Sequence, residues 1–391
     1  MKKIWIIAGE SSGDLYGANL ARELKALAAA HGEELELSGM GGPRMIQAGV
    51  PVLVDSTELG VMGVFEVAKL LFTFIGIYFK LLRAAKRERP DAVILIDYPG
   101  FNLRFAKALY KAKIPVVWYV SPQVWVWGKR RKPVLARVCS KMLVIFPFET
   151  EVYADTKLDT EFVGHPLIDI VAARTDPAIR RSRDTVLLLP GSRGMEIERL
   201  LEPMLATVRE VGSRHRELKF HLAAPREKIA SLCRKIIDNF RRRHPDLPEV
   251  EISVGDTGYW LQRAGCGLAS SGTVTVEAAV SGLPLVVGYK LNYFTLLLAS
   301  VLVKLYRGFF TMTNIIAGRA VYQEFLQWRF APKYLVPALE SILPGGSRSA
   351  EVETGMTEVR NALSVRSGNA AHQAALACWS VAERPREGGT L

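Results

Sequence analysis

Cysteine is scarce in this 391-residue chain: Cys139, Cys233, Cys266 and Cys378 are scattered, none in a C-x-x-C pair and none beside a histidine cluster. That scatter excludes a disulfide framework and a zinc site of the usual spacing, and it implies a reducing compartment. No segment offers the roughly 20 consecutive apolar residues that a membrane-spanning helix needs. Lys2-Lys3 followed by Ile4 to Ala8 imitates a signal peptide, but the apolar run stops at Gly9-Glu10. It reads instead as a first buried strand, and the cytoplasm is the expected location. Two further absences bear on chemistry. No Asp-x-Asp pair occurs, so nothing calls for a metal bridging a diphosphate, and neither a metal nor a cofactor is expected. Neither Gly9 to Gly13 nor Gly39-Met40-Gly41-Gly42 completes G-x-G-x-x-G, which weighs against a nicotinamide dehydrogenase. No repeat of solenoid period is visible.

What is present describes a folded protein of more than one core. Apolar residues make up 49% and charged residues 23%, a globular balance, and the length exceeds what one hydrophobic core usually serves. The net charge is +12. Basic runs occur at Lys80 to Arg89, Lys129 to Lys132 and Arg241 to Arg243, yet none falls in a nucleic-acid fold signature, so no nucleic-acid partner is expected. Leu70 to Tyr78, just before the first run, and Tyr293 to Phe310 are strongly apolar. Two readings stand for them: helices lying in the headgroup layer of an anionic membrane, or core helices with solvated charged ends.

Strand and helix patterns alternate along the chain. Lys3 to Ala8, Leu35 to Ser38, Ala92 to Ile96, Val116 to Val120 and Met142 to Ile145 read as strands separated by helical lengths. After Gly164-His165-Pro166 and a polar stretch from Ala172 to Asp184, the alternation restarts at Thr185 to Leu189, Leu218 to Ala223, Glu249 to Val254, Gly265 to Ala269 and Leu285 to Val287. This predicts an α/β protein with parallel sheets covered on both faces. The expected domains are 1–172, 185–332, a helical segment 333–382 and a tail 383–391.

Two strand-to-turn junctions in the second half suit a nucleotide diphosphate. In one, an apolar strand runs into Ser270-Ser271-Gly272-Thr273 and a helix bearing Glu277. Backbone N–H groups at such a helix start have no partner of their own and can take phosphate oxygens. Glu277, about one turn on, could accept both hydroxyls of a ribose. The alternative is an ordinary βαβ unit in which Ser and Thr cap a helix. In the other junction, Leu187-Leu188-Leu189-Pro190 leads into Gly191-Ser192-Arg193. Here the Arg193 guanidinium could grip a diphosphate through a planar fork of donors.

In the first half, Gly9-Glu10-Ser11-Ser12-Gly13 follows the first strand and matches G-x-S-x-G in form. That would make Ser11 a hydrolase nucleophile with Asp97 and His165 behind it, but no preceding strand supplies an oxyanion loop. Asp97 ends a buried strand, where a carboxylate can take a proton from an attacking hydroxyl; capping the following helix is its other reading. Val120 to Trp127 crowds two tryptophans into a Pro-bearing turn, either a packed corner or a wall for a sugar or acyl chain. His165 could be an active-site donor or a structural residue.

Together, Ala8 to Asp14, Val61-Met62-Gly63, Ile96 to Asn102, Tyr119 to Trp125, Leu189 to Arg193, Ser271-Gly272-Thr273 with Glu277, and Asn314 to Gly318 with Glu324 and Gln327 resemble the lipid-A-disaccharide synthases, in that family's order. The resemblance implies two Rossmann-like domains facing an interdomain cleft (GT-B type) with C-terminal helices packing back on the first. It implies an inverting glycosyltransferase of lipid A biosynthesis, joining UDP-2,3-diacylglucosamine to 2,3-diacylglucosamine 1-phosphate (lipid X) in a β(1→6) linkage and releasing UDP. Asp97 would be the base, and Gly191, Ser192, Arg193, Ser271, Gly272, Thr273 and Glu277 would bind UDP. Glu10, Ser12, Asn314, Glu324 and Gln327 would shape the sugar and diphosphate pocket. The expected setting is peripheral, on an anionic inner-membrane surface, with a homodimer as the suggested assembly. A UDP-sugar 2-epimerase, another lipid-linked transferase of the same fold, or a nucleotide-sugar sensor without turnover remain the alternatives.

Overall fold

The computed structural model describes residues 1–56, 67–125, 128–290 and 308–384. Val61-Met62-Gly63, Trp127, the apolar stretch up to residue 307 and the last seven residues lie outside the described residues. The chain forms two compact units, one of Met1–Pro166 with Leu363–Leu391 and one of Leu167–Ala362.

The first unit alternates β1 (Lys2–Ala8), α1 (Ser11–Ala30), β2 (Leu35–Gly41), α2 (Pro43–Gln47), β3 (Val52–Asp55), α3 (Val67–Glu88), β4 (Ala92–Ile96), α4 (Pro99–Lys111), β5 (Val116–Tyr119), α5 (Lys132–Val138), β6 (Lys141–Val144), α6 (Glu149–Tyr153) and β7 (Thr160–Phe162). Its seven strands run in the order β3-β2-β1-β4-β5-β6-β7, every pair parallel. The central strands carry apolar residues at successive positions because both faces are covered: all of Ala92 to Ile96 and Ile4 to Ala8 is buried. A polar clamp fixes one edge of this unit. Asp14, 4% exposed, accepts bonds from the N–H groups of Gly42 (2.7 Å), Arg44 (3.0 Å) and Met45 (3.0 Å), which satisfies the free amides opening α2.

The second unit comprises α7 (Pro166–Arg174), β8 (Thr185–Leu189), α8 (Gly194–Arg214), β9 (Lys219–Ala224), α9 (Glu227–Arg243), β10 (Val250–Val254), α10 (Thr257–Arg263), β11 (Cys266–Ser270), α11 (Thr273–Ser281), β12 (Leu285–Tyr289), α12 (Met312–Ala317), β13 (Gln323–Leu326), α13 (Pro332–Ile342) and α14 (Ser349–Leu363). Its sheet has the order β10-β9-β8-β11-β12-β13, again all parallel. In each sheet the first strand of the unit sits beside the fourth, and the order reverses between them. That reversal is the ligand-binding switch point of a doubly wound sheet.

The C-terminal helices divide differently from the sequence expectation, which sent 333–382 back to the first domain as one piece. α13 buries Leu335, Val336, Leu339 and Ile342, packs on α8 and belongs with α14 to the second unit. Of the C-terminal helices, α15 (Ala370–Ala382) packs on α1. Asn369 Nδ2 donates to Glu23 (3.0 Å), His372 Nδ1 lies 3.0 Å from the same carboxylate, and Trp379 meets His31 edge-on at 5.6 Å. An apolar stripe shows that a helix is packed; it does not name the surface it packs on.

Candidate active site

In the first unit, the switch point lies between β1 and β4, and both strands end in residues singled out from sequence. Asp97 follows β4 directly, and its N–H donates to Tyr119 O at 2.9 Å, so the last rung of the sheet fixes its position. Asp97 and Tyr98 adopt φ of +44° and +48°, two successive left-handed residues that non-glycine side chains rarely accept. The kink is held from below. The fully buried Asn102 donates to Asp97 O at 2.8 Å and Ile96 O at 3.2 Å. It also needs room above, because a Cβ on Gly9 would lie 2.3 Å from the Tyr98 ring. The α4 helix starts at Pro99 with Tyr98 at its N-cap and no side-chain cap bond, and the Asp97 carboxylate accepts from the Tyr98 N–H.

Desolvation pushes the Asp97 carboxyl up to about 6, and the nearby Glu10 carboxylate adds to the push. A carboxyl with that affinity for protons binds them more tightly than an ordinary carboxylate yet is still mostly ionised at neutral pH. Glu10 and Ser12 are exposed at the start of α1. His165 is not an exposed donor: it is 3% exposed, 5.1 Å from the Phe146 ring, and burial holds it neutral down to about 3.

In the second unit, Gly191 to Arg193 follow β8 and Ser271 to Gly272 follow the neighbouring β11. The two turns lie side by side, and a Cβ on Gly191 (φ +120°) would meet Glu196 Oε2 at 2.8 Å and Ser270 Oγ at 3.3 Å. Neither α8 nor α11 has a side-chain cap, which leaves helix-start donors for a ligand. Arg193 is 78% exposed and, among the described residues, pairs with Glu196 at 3.3 Å. Ser271 differs from the sequence picture in one respect: its N–H is spent on Gly288 O at 3.0 Å. The donors at this turn therefore come from Gly272 and Thr273, and Ser271 has its hydroxyl to offer. Glu277 is paired with Arg174, at 2.5 Å, a partner the sequence did not reveal because it precedes Glu277 by more than a hundred residues.

Asn314 is completely buried and fully engaged. It donates to Tyr322 O and Glu324 Oε1, both 2.8 Å, and accepts from the Val321 and Tyr322 N–H groups. Glu324 also accepts from Phe310 N–H (3.0 Å), Thr311 N–H (2.9 Å) and Thr311 Oγ1 (2.6 Å). This network ties the start of α12 to β13 and shapes the backbone there. Gln327, at φ +55°, has an Nε2 that is buried without a partner among the described residues.

Two parallel sheets of Rossmann order, one with a raised-pKa carboxylate at its switch point and the other with paired glycine turns, define the two-Rossmann architecture of GT-B type. Solved structures share the fold at low identity. A UDP-GlcNAc 2-epimerase from Neisseria meningitidis bound to UDP-GlcNAc aligns with TM-score 0.60, 10% identity, 97% of this chain and 99% of that one. The glycotransferase of kitacinnamycin aligns with TM-score 0.60, 16% identity, 97% of this chain and 98% of that one. Sequence narrows the class. The lipid-A-disaccharide synthetase family model matches residues 4–378. Lipid-A-disaccharide synthases from Koribacter versatilis and Solibacter usitatus are 37% and 35% identical, each over 98% of this chain and 100% and 98% of their own lengths. The chain belongs to the lipid-A-disaccharide synthase family and is a glycosyltransferase.

Proposed function

We propose that the chain transfers 2,3-diacylglucosamine from its UDP carrier to the 6-hydroxyl of lipid X, with inversion, giving the β(1→6) lipid A disaccharide 1-phosphate and UDP. The observation that carries this reading is Asp97: a carboxylate at a switch point, fixed by the sheet and holding its proton affinity near neutrality. As the acceptor oxygen forms its bond to the anomeric carbon, its proton passes to Asp97 and the bond to the diphosphate breaks. Arg193, with the amides of Gly272 and Thr273 and the Ser271 hydroxyl, meets the charge that appears on UDP. Gly191 and Ser192 let the diphosphate approach, and Glu277 accepts the ribose hydroxyls. Glu10 and Ser12, exposed at the start of α1, are the sugar contacts of the first unit in this reading; in the second unit Asn314 and Glu324 hold the backbone at α12 and β13, and Gln327 offers an amide with no partner among the described residues.

We further propose a peripheral setting on the cytoplasmic face of the inner membrane. No described helix is long and apolar enough to cross a membrane. Beside Asp97, however, α3 and α4 enclose a hollow of about 840 Å³ walled by Phe74, Tyr78, Tyr98 and Phe101, with Arg104 and Lys107 along it. Apolar walls with cationic edges suit an acyl chain drawn from an anionic surface.

The test is UDP release from UDP-2,3-diacylglucosamine in detergent micelles, with and without lipid X, with lipid products identified by mass spectrometry. Release that requires lipid X and yields one disaccharide phosphate is expected, and Asp97→Asn should lower turnover by about 10²-fold or more. Release that ignores the acceptor would replace transfer by hydrolysis or epimerisation.

A further inference from the structure

Tyr98 belongs both to the Asp97 kink and to the hollow between α3 and α4. Its backbone is held by the bonds that set Asp97: φ of +48° follows φ of +44°, Asn102 donates to the carbonyls of the two residues before it, and Tyr98 O accepts from the Asn102 N–H at 3.0 Å. The direction of the ring is therefore fixed together with that of the carboxylate. The ring covers Gly9, where a Cβ would overlap it. It also stacks on Phe101, with centroids 6.2 Å apart and planes at 27°, meets Phe74 at 6.4 Å, and walls the hollow with them. Gly100 leaves part of the hollow open, since a Cβ there would meet nothing within 4 Å.

Charge is laid out unevenly about that ring. Burial, and then the Glu10 carboxylate that follows Gly9, raises the proton affinity of both Asp97 and Tyr98, so acidic groups gather where β1 and β4 end. Beyond Tyr98, α4 carries Arg104, Lys107 and Lys111 at spacings of three and four, which is one face of the helix, and all three line the hollow. They are exposed, and Arg104 Nη1 donates to a backbone carbonyl, Gly100 O at 3.1 Å, which leaves the rest of its fork for an anion. Arg104 lies about 8 Å along α4 from Pro99, comparable with the distance across a hexose from its 6-oxygen to a 1-phosphate. A sugar phosphate therefore settles with its phosphate toward α4 and its hydroxyl toward Asp97. The reverse orientation sets phosphate against two carboxylates.

We propose that the hollow is the acceptor's own subsite: an acyl chain lies against Tyr98 and Phe101, the 1-phosphate meets Arg104, and the 6-hydroxyl is thereby presented to Asp97. This rests on the transfer proposed above, with Asp97 as its base. The donor is the poorer occupant. Its anionic group is a diphosphate, for which the second unit supplies uncapped helix starts and the exposed Arg193, and the oxygen that needs Asp97 belongs to the acceptor. Tyr98 and Arg104 are then specificity-determining residues, the ring for the chain and the guanidinium for the phosphate.

The experiment pairs enzyme variants with altered acceptors in neutral detergent micelles, where no anionic headgroup competes for Arg104. Wild type, Tyr98→Asn, Gly100→Leu and Arg104→Gln are assayed with lipid X, with lipid X lacking its phosphate, and with an analogue carrying acetyl groups in place of the acyl chains. Each acceptor is read as kcat/KM, or as a competitive Ki where turnover is slow, and thermal melts show that each variant is folded. Tyr98→Asn removes the ring and keeps a side chain that tolerates the left-handed backbone, whereas Gly100→Leu fills open space instead. Each should cut the preference for lipid X over the acetyl analogue by about tenfold. Arg104→Gln should cut the preference for lipid X over its dephosphorylated form by about tenfold or more, mainly through KM. A residue that only supports the fold weakens all three acceptors together, and unchanged preferences would overturn the proposal. So would a Tyr98→Asn defect that follows the acyl chains of the donor rather than those of the acceptor. Wild type that forms no disaccharide from lipid X, or an Asp97→Asn enzyme that turns over normally, would instead remove the transfer reading or its base.

Discussion

Asp97 is costly to the fold in its ionised state, the state a general base would need. Its carboxyl is raised from 3.8 to about 6 in the folded protein, chiefly by burial and then by Glu10. A folded state that holds its proton more tightly than the unfolded chain gains stability below pH 4, and that gain is lost as pH rises through 6. At neutral pH the ionised, partly desolvated carboxylate therefore weighs against folding. Asp97→Asn removes the charge and keeps a side chain that tolerates the left-handed backbone at this position. The variant should be more stable than wild type at pH 7, by at most about 3 kcal/mol and by less to the extent that water reaches the carboxyl. At pH 4, where both side chains are neutral, the advantage should vanish. Urea melts at the two pH values check both halves, and equal stability at pH 7 would mean that the carboxylate is better solvated than its surroundings imply. Gain of stability with loss of turnover is the expected mark of a residue placed for chemistry.

At the scale of elements, α7 and α11 meet through Arg174 and Glu277. On the proposed reading Glu277 accepts a ribose diol, and the Arg174 guanidinium, itself partly exposed, competes for one of its oxygens. Such pairs contribute about 0.2–1 kcal/mol. Arg174→Ala should therefore tighten UDP binding by up to about fivefold in titration calorimetry, and the gain should disappear in a Glu277→Gln background. Weaker binding in the single variant would place Arg174 on the nucleotide rather than in competition with it. Arg174 also illustrates where sequence reading stops. The long central strands were legible because burial on both faces makes them continuously apolar, as in Ala92 to Ile96. β3, β7 and β13 were missed: each is a strand of three or four residues, flanking its sheet and mixing polar with apolar positions. Likewise the glycine turns and Asp97 announce themselves within a few contiguous residues. The partner of Glu277, Arg174, comes from a distant stretch and carries no local pattern. Asn314 was legible as important but not as a fully satisfied buried strut.

For the whole molecule, the net charge of +12 gains meaning from where the apolar surface lies. On the first unit, Phe79 is 56% and Ile75 43% exposed at the hollow between α3 and α4, and Arg104, Lys107 and Lys111 line the same hollow. Exposed aromatic and aliphatic groups beside like-charged cations suit an interface at which tails are apolar and headgroups anionic. Each basic residue near an anionic surface contributes about 1 kcal/mol. Replacing Lys107 and Lys111 together by Gln should therefore weaken binding to phosphatidylglycerol-containing vesicles by about 30-fold, since 1.4 kcal/mol corresponds to a factor of ten. Phe79→Ser should weaken binding to anionic and zwitterionic vesicles alike, because burial of apolar area does not depend on lipid charge. The two variants separate the contributions in one flotation assay, read at low and high salt. Salt should erase the difference between wild type and the lysine variant while leaving the Phe79→Ser defect, because screening shortens the reach of surface charge and does not touch apolar contact. If neither variant changes vesicle binding, this hollow is not a membrane-contact surface.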